Sequence, residues 1–158
     1  MYADLQRLAH AQRGQSGPNP TLNTTSLVYE CYLRIAGPSS NHVESRHHFF
    51  NLASRVMRQV LCDYARQRLA GKRGGGALQV TESQIDAERD VEAGELIELD
   101  DLLRGLEKDH ARAARVFECR YFAGLGEQET ADALAISLRT AQREWNLARS
   151  WLAERLAG

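Results

Sequence analysis

Arg139, Thr140, Gln142 and Arg143 stand together in "SLRTAQREW", just behind Ser137. At the start of a helix, these side chains suit the edges of DNA bases. Arginine forks onto guanine, glutamine onto adenine, and threonine and backbone amides take phosphate. A second set, Asn51, Arg55, Arg58, Gln59, Arg66 and Arg68, recurs along "NLASRVMRQVLCDYARQR". Its chemistry is the retention of a polyanion, with cations along a backbone and polar groups between them. Neither set puts a nucleophile beside a base. The chemistry is binding, and no enzyme is expected.

Each set needs a helix beneath it. Phe49, Leu52, Ala53, Val56, Met57, Val60, Leu61, Tyr64 and Ala65 follow helical spacing and predict a helix from about Ser45 to Leu69. The second set lies on its polar face. "GKRGGG" then supplies glycines that should end the helix. Further on, Leu138, Ala141, Trp145, Ala148 and Leu152 form an apolar seam, and Arg139, Thr140, Gln142, Arg143, Asn146 and Arg149 point away from it. Ser137 is a suitable N-cap, Ile136-Ser137 a turn, and about Glu127 to Ala135 a preceding helix with Ala131 and Leu134 inward. Gly126 stands where a Ser or Thr cap is usual. Charges alone fit a solvated helical hairpin equally well. The small residue at the crossing and the short turn favour a DNA-binding helix-turn-helix.

Strand signals are nearly absent, so the fold class expected is all-α. Leu96, Leu99, Leu102, Leu103 and Leu106 define one amphipathic helix; Ala113, Val116, Phe117 and Tyr121 define another, stopped by "FAGLG". Between the glycines and Leu96 the chain is polar, acidic and weakly periodic, and reads as a linker that is helical in part. The domains expected are residues 1–73, a Gly-rich acidic linker at 74–94, and residues 95–158: two small helical domains on a flexible joint.

The formal net charge of −1 conceals segregation. Residues 1–80 carry ten Lys/Arg against four Asp/Glu, and residues 81–110 carry three against eleven. The basic block invites nucleic acid. No apolar run approaches the roughly 18 residues of a membrane span. "MYADLQRLAHAQRG" lacks an apolar signal core, so a cytoplasmic protein with no membrane partner is expected. Cys31, Cys62 and Cys119 are scattered and read as reduced, buried thiols. His47 and His48 diverge by about 100° on a helix, and with His42 they meet no ligand cluster. No metal or cofactor is expected. "GKRGGG" lacks the strand-loop-helix setting of a phosphate loop.

With these residues placed, the chain resembles a sigma-70 family factor of the extracytoplasmic-function (ECF) group. "TTSLVYECYLRIAG", "HHFFNLASRVMRQVLCDYARQRLAGKRGGG" and "VFECRYFAGLGEQETADALAISLRTAQREWNLARSWL" occur in the order of regions 2.2, 2.3–2.4 and 4. The resemblance implies two helical domains, sigma regions 2 and 4, that bind core RNA polymerase and promoter DNA. It implies polymerase contact by Leu27, Val28, Glu30, Tyr32, Leu33 and Arg34. It assigns the melted −10 strand to Asn51, Arg55, Arg58, Gln59, Arg66 and Arg68. It assigns the −35 element to Ser137, Arg139, Thr140, Gln142, Arg143 and Asn146. Asp63 falls in the −10 stretch too, although an ion pair with Arg66, three residues on, is the plainer expectation.

One departure from the family is chemical. Members commonly place acidic residues just before the "LVxE" segment, and those carboxylates pair with basic residues of the polymerase clamp. Here Asn23, Thr24, Thr25 and Ser26 stand there, all neutral. A phosphate on a hydroxyl would restore about −1.5 to −2 charges at a helix N-terminus. The expectation is activation by a Ser/Thr protein kinase at Thr25 first, then Thr24 or Ser26. The competing expectation is that "NTTS" is only a helix cap.

The function implied is an alternative sigma factor that directs promoter-specific initiation. The residues alone also fit a helix-turn-helix regulator whose N-terminal domain binds a protein other than polymerase. Whether an anti-sigma factor acts on the chain is left open by the sequence.

Overall fold

The computed structural model describes residues 3–4, 6–7, 24–36, 45–75 and 84–157. His42, Asn23 and the middle of the expected linker lie outside these residues, as do the side chains of Thr24 and Thr25. Among the described residues every regular element is helical. They are α1 (Thr24–Ile35), α2 (Arg46–Gly75), α3 (Gln84–Asp109), α4 (Ala111–Tyr121), α5 (Glu127–Leu134) and α6 (Leu138–Ala157). None is long and apolar enough to cross a membrane.

Helix α1 buries Leu27, Val28, Cys31 and Ile35, one helical stripe, against α2. Helix α2 answers with Phe49, Phe50, Ala53, Val56, Met57, Val60, Leu61 and Ala65. Its start is fixed by Ser45, whose Oγ accepts the His48 N–H at 3.0 Å. The expected end near Leu69 is passed: α2 continues to Gly75, through glycines that were to stop it. Glycine costs a helix about 1 kcal/mol per residue without forbidding it, and ion pairs from Arg66 and Arg68 to α3 anchor this end.

Much of the expected linker is helix. The seam of Leu96, Leu99, Leu103 and Leu106 extends back to the fully buried Ala93, and α3 begins at Gln84. Ala93 carries little hydrophobic signal in sequence, yet it allows close packing. At the other end of α3, a Cβ on Gly105 would lie 3.1 Å from the Trp151 ring of α6, so the two helices approach closely there. After α4 the chain turns at Gly124, whose φ of 68° suits glycine, and the Leu125 N–H reaches back to the Cys119 carbonyl at 3.1 Å.

From Leu27 in α1 to Leu152 in α6 the buried apolar side chains form one cluster. Helix α2 packs on α3, α4 and α5. The two expected modules therefore share a core. The three cysteines are free and buried within it.

Candidate nucleic-acid interface

Arg55, Arg58, Gln59, Cys62 and Arg66 lie at helical spacing along one stripe of α2 and face a cleft of about 530 Å³. Across it stand Asp100, Arg104 and Glu107 of α3 with Arg115 and Glu118 of α4. Arg58 is at the centre. Its Nε donates to Asp100 Oδ1 at 2.8 Å, and its Nη1 donates to Glu107 at 2.5 Å and to Glu118 Oε2 at 3.0 Å. Its side chain is 9% exposed.

The pattern repeats along the stripe. Arg66 Nη2 donates to Asp100 Oδ2 at 2.6 Å, Arg104 adds a third cation to Asp100 at 3.2 Å, and Arg68 Nε donates to Asp90 at 2.8 Å. Arg115 of α4 donates to the Asn51 amide oxygen and pairs with Glu118. Thus Asn51, Arg58, Arg66 and Arg68, expected to face a DNA strand, are engaged by α3 and α4. Arg55 and Gln59 are exposed. These contacts have a plain cause: the acidic segment folds as a helix and lands on the basic one.

Electrostatics follow the geometry. Burial is the largest influence on the Asp100 carboxyl and pushes it up, but hydrogen bonds from Arg66 and Arg58 and the nearby cations outweigh it. The net shift is below the ordinary carboxylate value. Burial likewise opposes the Arg58 charge, and its bonds to Glu107 and Asp100 overcome that. Arg115 is pulled down to about 10, first by burial, while Cys119 raises it and Arg55 nearby lowers it. Burial lifts the Cys62 thiol, beside Asp100, to about 12.

The second expected surface is open. Arg139, Gln142, Arg143 and Asn146 are exposed on α6, and Thr140 is half-buried. Ser137 does cap the helix: its Oγ accepts the Thr140 N–H at 3.0 Å and donates to Thr140 Oγ1 at 2.9 Å. Both hydroxyls thus shape the turn first. Gln142 Nε2 donates to Glu127 of α5 at 3.0 Å. Arg139 and Arg143 form no ion pair among the described residues. On the inner side, Trp145 stacks on Phe117 at 5.4 Å and Ala131, Ala141 and Ala148 are buried. Gly126 serves as N-cap of α5, and Glu129 reaches back to accept its N–H at 3.2 Å, half of a capping box.

On α1, Leu27 and Val28 are buried and seat the helix on α2. The outward face is Tyr29, Glu30, Tyr32 and Leu33. Tyr29, exposed one turn before Leu33, belongs to that face although the sequence reading did not include it. Arg34 pairs with Asp63 of α2 at 3.1 Å; the expected Asp63–Arg66 pair does not form, because Arg66 turns to Asp100. Ser26 is half-buried. His47 and His48 are exposed, and no group of His, Cys, Asp or Glu among the described residues is placed to hold a metal.

The family model of ECF sigma factors matches residues 1–158. The chain belongs to the ECF sigma factors. No curated protein and no solved structure matches it. As a member of that family it is an alternative sigma factor, a transcription initiation factor whose relatives bind core RNA polymerase and promoter DNA. The sigma factor's cleft, its α6 face and the outward face of α1 are then the three surfaces to assign.

Proposed function

We propose that this sigma factor directs promoter-specific initiation through three surfaces. The N-terminal end of α6 reads the −35 element in the major groove, with Arg139, Gln142, Arg143 and Asn146 toward base edges and the Ser137–Thr140 turn beside phosphate. The basic stripe of α2 holds the melted −10 strand. The outward face of α1 docks on the polymerase clamp. The observation that carries the reading is the exposed Arg139–Arg143–Asn146 face of a helix whose opposite seam is sealed by Ala141, Ala148 and Leu152.

Activation at the start of α1 completes the proposal. The first turn, from Thr24, contains no acidic residue. A phosphate on Thr25, or on Thr24 or Ser26, adds negative charge where the helix dipole favours it and where a basic clamp would meet it. Binding to core RNA polymerase at fixed salt tests this, comparing wild type, Thr25→Glu and Tyr29→Ala. Tighter binding by Thr25→Glu and weaker binding by Tyr29→Ala are expected. Unchanged binding in both contradicts the docking face, and tight wild-type binding unaffected by kinase treatment removes the phospho-switch.

A further inference from the structure

We propose that the free chain latches its own strand-binding helix shut, with α3 and Glu118 of α4 occupying the α2 stripe as an internal substitute for a nucleic-acid backbone. The inference rests on the reading of α2 given above. Asp100, Glu107 and Glu118 all terminate on the single guanidinium of Arg58, while Asp100 also takes Arg66 and Asp90 takes Arg68. A carboxylate and a phosphate accept from arginine in the same forked geometry. A strand and α3 therefore compete for identical donors. With Arg58 buried, no phosphate reaches it until α3 moves.

The latch is built to exchange. Ion pairs buried in a protein gain little net over their hydrated state, because desolvation offsets attraction. Passing the arginines from carboxylates to strand phosphates is thus near balance, and the outcome is set by the other contacts polymerase and promoter supply. Arg7 and Glu129 of α5 also pair at 2.9 Å, but that pair is exposed and lies outside the cleft lining, so it adds little to the closure. The charge segregation of the sequence thereby acquires a use: the acidic helix silences the basic one until a better polyanion arrives.

Cys62 is a native reporter. It is buried in the stripe beneath Asp100, whereas Cys31 is buried in α1, away from the cleft lining. The test is site-resolved N-ethylmaleimide labelling of the full chain, read by mass spectrometry, together with binding of a fluorescent single-stranded DNA oligonucleotide. Asp100→Asn is compared with the rim variant Glu107→Gln, an exposed position that leaves the buried Asp100 and Glu118 in place, and with Glu98→Gln, an exposed α3 position that removes the same charge. Asp100→Asn is expected to speed Cys62 labelling about tenfold or more with Cys31 unchanged, and to bind the oligonucleotide more tightly than Glu98→Gln does. Glu107→Gln moves both readouts the same way by less. Equal acceleration of Cys31 and Cys62 in both variants overturns the latch, since the carboxylates then only stabilise the whole fold. Equal gains in strand binding for Asp100→Asn and Glu98→Gln also overturn it, as a mere net-charge effect. Faster Cys62 labelling with no gain in strand binding keeps the closure and overturns the reading of α2 on which it rests.

Discussion

Arg58 and Asp100 are 42 residues apart in the chain and meet in a hydrogen bond of 2.8 Å between buried side chains. This contact joins the most basic helix to the most acidic one and sets the relation of the two halves of the molecule.

Removing Arg58 should be costly, because it takes the one cation shared by Asp100, Glu107 and Glu118 out of a largely buried cluster and leaves Arg66, Arg104 and Arg115 at its edges. Arg58→Ala is expected to lose about 3–5 kcal/mol, while Arg55→Ala, exposed on the same stripe, stays within about 0.5 kcal/mol. Urea denaturation of the two variants checks the contrast; equal midpoints would mean that the Arg58 cluster carries no weight.

Acid should loosen the same contact. The Asp100 carboxyl is held below its ordinary value of 3.8. A depressed acid contributes stability that is fully present above the ordinary value and is lost as pH falls through the folded one. Facing it are Arg58, Arg66 and Arg104, which stay charged throughout. Unfolding free energy should thus fall below pH 3.8 with a slope that Asp100→Asn reduces. Identical slopes for both proteins would remove Asp100 from the account.

The thiols should be inert in the native state. Burial raises Cys31 and Cys62 to about 12, so almost no thiolate exists at pH 8. An aromatic disulfide reagent is expected to titrate all three cysteines quickly in denaturant and only slowly without it. The linkage runs opposite to that of Asp100: stability is full below the ordinary thiol value of 9.0 and declines as pH rises toward 12.

Ala135 closes α5 with φ 56° and ψ 45°, a left-handed conformation that costs a residue bearing a Cβ about 1–2 kcal/mol. Ala135→Gly should relieve it and gain about 1 kcal/mol, visible as a melting temperature higher by a few degrees. A lower melting temperature would show that the turn is unstrained.

Much of this was legible in the sequence where apolar spacing is regular. The α2 seam from Phe49 to Ala65, the α6 seam and the Ser137 cap follow from local patterns that packing then respects. Ion-pair partners are not local. Asp63 was expected to meet Arg66 one turn along and instead meets Arg34, because Asp100, distant in sequence, takes Arg66. The start of α3 was hidden because its seam continues through Ala93, whose small side chain barely marks a face. The burial of Leu27 and Val28 was not legible either, because apolarity alone does not say which side of α1 lies inward. The segregation of charge was visible from the start, but its resolution, basic helix against acidic helix, required the fold.

The most direct measurement is transcription with core RNA polymerase and this chain on a genomic DNA library, with the 5′ ends of the transcripts mapped. The account predicts new start sites that share two spaced upstream elements, and loss of those starts in Arg139→Ala/Arg143→Ala with polymerase binding intact. No new starts with wild type, Thr25→Glu or Asp100→Asn, under conditions where the chain binds polymerase, would contradict it.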